Sequence, residues 1–261
     1  MSTSKIAMNT ESTLAIETAA LSRAFGDFDA VRDLDLRVES GTMYGFLGRN
    51  GAGKSTTIKM LTGILKPTAG NIRLLGTNVA NDESAIGVRR RIGVVPEDLA
   101  LFDTLTGSEY LTFVARMYRL NDATLADRIN EVLDVLEVGA DHKQLVLEYS
   151  HGMRKKLALA AALLPDPDLL FLDEPFEGVD AVGSRIMRDI LDRFVNRGST
   201  VFLTSHVLDI VEGICSHVGI IDSGKLVFQD RMDSLSERRL EDVFLELVGS
   251  TEEMRSELSW L

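Results

Sequence analysis

Cysteine is nearly missing: Cys215 is the only one in 261 residues. A single thiol closes no internal disulfide, which suits a reducing compartment and leaves Cys215 to act as a small buried hydrophobe. Basic charge is also short, with 28 Lys and Arg against 40 Asp and Glu, a net charge of −12. A nucleic-acid partner is disfavoured on that ground, because neutralising phosphates needs a basic face. Long apolar runs are missing too. The longest, Leu157 to Leu164, falls far short of the roughly 20 residues of a membrane span. The opening MSTSKIAMNTES carries no apolar stretch of signal-peptide type. A soluble chain is expected. Its 45% hydrophobic content supports a proper core, and its length suits one large domain or a domain with an inserted lobe. Repeats and low-complexity segments are absent.

What is present is organised around Gly48 to Thr56, GRNGAGKST, which fits the phosphate-loop pattern G-x-x-x-x-G-K-[ST]. The flanks fit as well. Met43 to Leu47 is a short apolar run of strand type, and Lys54 to Leu65 places Ile58, Leu61 and Leu65 at helical spacing. Strand, glycine loop and helix start together cradle an anion, because unpaired N–H groups and the helix dipole point at it. Lys54 would reach the β- and γ-phosphates and the Ser55 hydroxyl would ligate Mg²⁺. The chain is expected to bind a nucleoside triphosphate.

Around this loop, Leu14 to Thr18 and Leu34 to Val38 alternate as half-buried antiparallel strands do. Phe25-Gly26 lies between them; an aromatic there can stack on a purine or face the core. Lys66 to Gly70 breaks the pattern, Asn71 to Leu75 resumes as a strand, and Arg91 to Val95 runs into Pro96-Glu97. From Thr106 to Leu164 strand signals stop. Thr106 to Arg119, Asn121 to Val138 and Gly152 to Leu164 read as helices of an inserted lobe. Strands return at Leu169 to Asp173, a continuous apolar run of the buried parallel type. It ends in two acids. Asp173 is suited to hold Mg²⁺ and Glu174 to polarise a water for attack on a γ-phosphate. Glu177 to Asp180 leads into a helix to about Arg197. Thr200 to Thr204 ends at Ser205-His206, a histidine that either contacts the γ-phosphate or serves the structure. Val218 to Asp222 and Lys225 to Phe228 form a hairpin. From Asp230 the chain reads as helical, with Leu240, Val243, Phe244 and Leu247 on one face.

These stretches resemble the ATP-binding subunit of an ABC transporter, from about Leu14 to Leu247. GRNGAGKST resembles Walker A, LLFLDEP Walker B, and YSHGMRKKL the family's signature. Phe25 falls at the base-stacking aromatic, Glu177 to Asp180 at the D-loop and His206 at the switch histidine. Two motifs depart from the usual pattern, at three positions. Glu97 stands where the Q-loop has glutamine, and His151 and Met153 replace a glycine and a glutamine of the signature. Both resemble the subset that pairs with ABC-2-type exporter membrane subunits, as does the ending LEDVFLELVG.

The resemblance implies an α/β fold, a P-loop NTPase (RecA-like) parallel-sheet core with an antiparallel β subdomain and an inserted α-helical lobe. The expected ATPase domain covers residues 13–229, with its lobe at about 98–164. A flexible stretch, 1–12, precedes it and a short helical appendage, 230–261, follows. Implied cofactors are ATP and Mg²⁺. Lys54, Glu174 and His206 take catalytic roles. Phe25, Gly48, Arg49, Asn50, Gly51, Ala52, Gly53, Lys54, Ser55 and Thr56 contact nucleotide, and Ser55, Glu97 and Asp173 the metal. Ser150, Gly152 and Asp180 serve a site completed head to tail by a second ATP-binding subunit. The other implied partner is an integral membrane permease on a separate chain, at the cytoplasmic face of the membrane. Two rival classes stand. Soluble ABC ATPases of DNA or ribosomes usually carry tandem cassettes or long insertions. P-loop kinases lack the signature, and GTPases need an N-K-x-D that is absent here.

Overall fold

The structure, a computed structural model, describes residues 13–79, 82–120, 123–139, 143–235 and 238–249. The stretch expected to be flexible, 1–12, lies outside them, as do residues 250–261. In chain order come β1 (Leu14–Phe25), β2 (Phe28–Leu34), β3 (Arg37–Glu39), β4 (Met43–Leu47), α1 (Lys54–Leu61), β5 (Ala69–Leu74) and β6 (Thr77–Asn78). Next are α2 (Asp82–Arg89), β7 (Ile92–Val95), α3 (Gly107–Met117), α4 (Leu125–Val135) and α5 (His151–Leu163). Then follow β8 (Leu169–Asp173), α6 (Ala181–Asn196), β9 (Thr200–Ser205), α7 (Leu208–Ile214), β10 (His217–Asp222), β11 (Lys225–Arg231) and α8 (Leu240–Val248).

Two sheets form. One is antiparallel, β2-β1-β5-β6 with β3 also on β1; the other runs β11-β10-β4-β9-β8-β7. Every neighbouring pair from β10 to β7 in the second sheet is parallel, and β11 closes its edge as an antiparallel hairpin strand. Side-chain alternation explains why the central strands read as unbroken apolar runs. Tyr44, Phe46, Phe171 and Phe202 point to one face, where they join Ile58 and Leu61 of α1 and the antiparallel sheet. Met43, Leu47, Leu170, Leu172, Val201 and Leu203 point to the other, against α5, α6 and the helical lobe. Phe202 is the hub of the first face. Its ring stacks on Tyr44 at 5.5 Å and meets Phe46 at 5.3 Å and Phe171 at 5.8 Å. Truncating such a ring to alanine costs about 3–5 kcal/mol.

Three helices, α3 and α5 of the lobe and α6 after it, begin with side-chain caps. Thr106 and Glu109 form a reciprocal capping box on α3, Ser150 Oγ accepts from Met153 N–H on α5, and Asp180 accepts from Gly183 N–H on α6. Several expected boundaries shift. The strand expected over Leu34 to Val38 is divided: β2 ends at Leu34, after Asp33 turns to φ +46°, and β3 starts at Arg37. The helix expected to Leu65 stops at Leu61, before Gly63 goes left-handed. Beyond Asp230 the chain is not helical at once; β11 continues to Arg231 and α8 begins only at Leu240. Cys215 is buried as expected, which pushes its thiol pKa up, with Asp192 adding to the effect.

Candidate functional site

Strand register assembles the site. Leu47 pairs with Ser205 and Asp173 with Thr204, so the C-terminal ends of β4, β8 and β9 lie side by side. Ligands of open α/β sheets bind at such strand ends. β4 delivers the glycine loop. Its turn needs glycine at Gly53, where φ is +112° and a Cβ would lie 2.6 Å from the Ala30 carbonyl oxygen. Gly53 is also the N-cap of α1, and no side chain caps that helix. The N–H groups of its first turn therefore face the loop and suit an anion.

Lys54 is buried. Its Nζ donates to the Gly48 carbonyl at 2.8 Å and lies 3.6 Å from Glu174 Oε1. The other oxygen of Glu174 faces His206, whose Nδ1 is 3.0 Å from Oε2 and whose backbone N–H donates to it at 3.3 Å. Ser55 Oγ donates to Glu97 Oε2 at 3.3 Å. Asp173 sits beneath, 2% exposed, with Oδ1 accepting from Thr204 Oγ1 at 2.6 Å. A cleft of about 500 Å³ collects Lys54, Ser55, Glu97 and Glu174, while Asp173, Thr204 and His206 support it from outside its lining. It is lined by Phe25, Arg49, Asn50, Gly51, Gly53, Lys54, Ser55, Thr56, Glu97 and Glu174.

Phe25 does not face the core but lines the cleft. It ends β1 at the hairpin turn, is 46% exposed, and carries the Arg23 guanidinium 4.4 Å over its ring. Sequence reading missed Phe28, which pairs with Phe25 across the two-residue turn and lines the same cleft. The signal was there in F-G-D-F, two aromatics flanking a Gly-Asp turn. It also missed Thr204, which bridges the acidic pair by donating to Asp173 and accepting from Glu174 N–H at 3.0 Å. Gly48 and Ala52 shape the loop without lining the cleft. Gly48 has no room for a Cβ, 2.5 Å from the Ile221 carbonyl oxygen, and Ala52 accepts from Gly224 N–H.

Ser150, Gly152 and Asp180 do not line this cleft. They form a second surface, where the His151 ring packs over Gly178 and Gly152 approaches the Gly178 carbonyl. The Asp180 carboxyl is held below the usual range, first by the Gly183 N–H it accepts and then by nearby Lys156.

Fold and cleft together define the class: a phosphate-loop ATPase with an antiparallel β subdomain and an inserted helical lobe. A family model described as ABC transporter matches residues 31–177. The bacitracin transport ATP-binding protein BcrA of Bacillus licheniformis is 39% identical over 224 residues, covering 85% of this chain and 72% of that one. The daunorubicin/doxorubicin resistance ATP-binding protein DrrA of Streptomyces peucetius is 40% identical over 220 residues, 84% of this chain and 66% of that one. A solved ATP-binding subunit of an ABC transporter superposes with a TM-score of 0.82 at 28% identity, over 90% of this chain and 99% of its own. A dimeric ATP-binding cassette bound to ADP and Pi shares the fold, with a TM-score of 0.75 at 21% identity over 83% and 98%. The chain belongs to the ABC transporter family, as an ATP-binding and ATP-hydrolysing subunit.

Proposed function

We propose that this subunit pairs with a second copy around two ATP molecules and drives a separate membrane permease in export. The observation that carries the catalytic part is the convergence of Lys54, Glu174 and His206 at the strand ends. Lys54 meets the β- and γ-phosphates as a charge-assisted donor. Glu174 orients a water and takes its proton as the oxygen attacks phosphorus and ADP leaves. His206 holds the Glu174 carboxylate through Nδ1 and its backbone N–H. Phe25 and Phe28 offer ring faces to the base. Ser55 and Glu97 bring hydroxyl and carboxylate oxygens together, hard donors that fit Mg²⁺, and Asp173 adds a carboxylate behind them. A Mg²⁺ held by these residues would supply positive charge to offset that of the phosphate oxygens.

Pairing is supported by geometry. Ser150, Gly152 and Asp180 lie outside their own chain's cleft, so they serve a site only by facing another copy, as in a head-to-tail dimer. The permease reading is supported by one continuous path. The segment that starts at Glu97 in the cleft reaches Phe102 on the lobe surface, where Phe102 and Phe113 meet edge to face at 4.9 Å and stay exposed. Met117 and Leu147 are exposed as well. Among the described residues no helix is long and apolar enough to cross a membrane, so membrane attachment at the cytoplasmic face would come through the permease. The names of several relatives point to export: bacitracin transport, daunorubicin resistance and Nod factor export. The test is co-expression with an ABC-2-type permease. The wild-type chain should pellet with membranes only when the permease is present. Phe102→Glu/Phe113→Glu should stay in the supernatant while hydrolysing ATP at the wild-type basal rate. A chain that never pellets, with ATPase intact, would instead indicate a soluble ABC-type ATPase.

A further inference from the structure

Lys155 lies in the second turn of α5 and is 1% exposed, although it carries a charge. Its Nζ donates to the Glu174 carbonyl oxygen at 3.1 Å and to the Glu97 carbonyl oxygen at 3.4 Å. Burial lowers its pKa, opposed by the carboxylates of Glu177, Asp173, Glu97 and Glu174. Taking an ammonium out of water is unfavourable unless partners offset it. Here the partners are the backbones of two separate loops, both belonging to the ATP site.

Glu174 needs such a partner. Its φ is +48°, a left-handed conformation that is strained for a non-glycine residue and persists only where surroundings over-determine it. Its N–H is fixed on Thr204 Oγ1, its carboxylate lies between Lys54 and His206, and its carbonyl accepts from Lys155. The helix that supplies Lys155 begins at Ser150, the signature serine.

We propose that Lys155 is a positioning residue for ATP hydrolysis, clamping the main chains of Glu174 and Glu97 to the helix that starts at Ser150. Displacement of that helix then moves the base and the Glu97 loop together. This rests on Glu174 being the base. The experiment compares Lys155→Met, Lys155→Arg and Glu174→Gln with wild type, measuring kcat for ATP, Kd for Mg·ADP by calorimetry, and thermal melting. Lys155→Met should lose kcat by about 10- to 100-fold, the scale of a displaced reacting group, with ADP affinity within about threefold. Lys155→Arg keeps charge and donors and should recover to within about fivefold of wild-type kcat. Lys155→Leu, which also keeps apolar bulk and no donor, is read the same way as Met if the Met variant fails to fold. A folded Lys155→Met or Lys155→Leu with wild-type kcat overturns the proposal. So does a kcat loss matched by an equal loss of ADP affinity, the mark of a general structural role. If Lys155→Met is impaired but Glu174→Gln turns over normally, the base assignment fails and the clamp falls with it. If Glu174→Gln is inactive and Lys155→Met is normal, only the clamp falls.

Discussion

Glu174→Gln keeps the size of the side chain and removes one negative charge. That charge lies 3.6 Å from Lys54 Nζ, and both side chains are buried. Two unit charges at that distance attract by about 4–5 kcal/mol at an effective dielectric of about 20. His206 shares the carboxylate through two contacts, and water entering the cleft screens it. We therefore assign about a third, roughly 1–2 kcal/mol, to the competition that a triphosphate must overcome to engage Lys54. Removing it should tighten binding of a non-hydrolysable ATP analogue roughly 5- to 30-fold. Turnover should fall about 10²- to 10⁴-fold, since the proton acceptor is gone. Calorimetry with the analogue and Mg²⁺ reads the first effect and phosphate release the second. Light scattering with ATP should show a dimer that accumulates in the variant and dissipates in wild type. Weaker analogue binding than wild type, or turnover within threefold of it, would refute the reasoning.

Lys54→Ala should weaken binding of the same analogue by about 10- to 100-fold, since charge-assisted donors to phosphate are lost; unchanged affinity and turnover in a folded variant would contradict the whole reading. Glu97→Gln should keep most ATPase activity with a modestly altered Mg²⁺ requirement, and Glu97→Ala should weaken permease-coupled transport more than basal hydrolysis. Superimposable Mg²⁺ titrations for all three chains, with transport unchanged, would leave Glu97 a surface carboxylate. His217 sits largely buried at the start of β10, and burial lowers its pKa, with Arg231 acting in the same direction and Glu39, Asp233 and Asp230 against it. The unfolded chain then binds more protons between the lowered value and about 6.5, so stability rises with pH across that window and falls on acidification through it. His217→Gln should flatten that slope in urea-melt midpoints taken from pH 5 to 7, and an unchanged slope would assign it to other groups.

Sequence reading found the bounds of β4 and β8 because both strands are buried on both faces. Strands of that kind leave unbroken apolar runs between polar neighbours. It did not find α2 or α7. Each is short, and in α7 only Val211 is buried, too few apolar positions to set a period. The break between β2 and β3 was invisible for a different reason: Leu34, Leu36 and Val38 keep alternating across it, all fully buried. Period alone cannot show that a strand changes partner. At the site, the phosphate loop was legible as a contiguous motif with a geometry of its own. The contacts of Glu174 were not, because Lys54, Thr204 and His206 approach it from distant parts of the chain.

Two substitutions in otherwise familiar motifs, Glu97 and His151, sit where the fold uses other atoms of the same residues. Glu97 is tied to α5 through its backbone carbonyl, which accepts from Lys155 at 3.4 Å. That link is the same for glutamine and glutamate. Only the side-chain oxygen toward Ser55 differs, and there a carboxylate adds negative charge rather than a new shape. His151 follows the N-cap and leaves that cap to Ser150, whose Oγ accepts from Met153 N–H at 3.2 Å. Its ring instead lies over Gly178, so close that a Cβ at that position would come within 2.5 Å of His151 Cδ2. Gly178 also has φ +70°, so its glycine is required twice over, by backbone conformation and by the imidazole above it. A side chain larger than glycine in the signature is thus matched by the absence of one in the segment it touches, and the cap, the clamp and the phosphate loop keep their geometry.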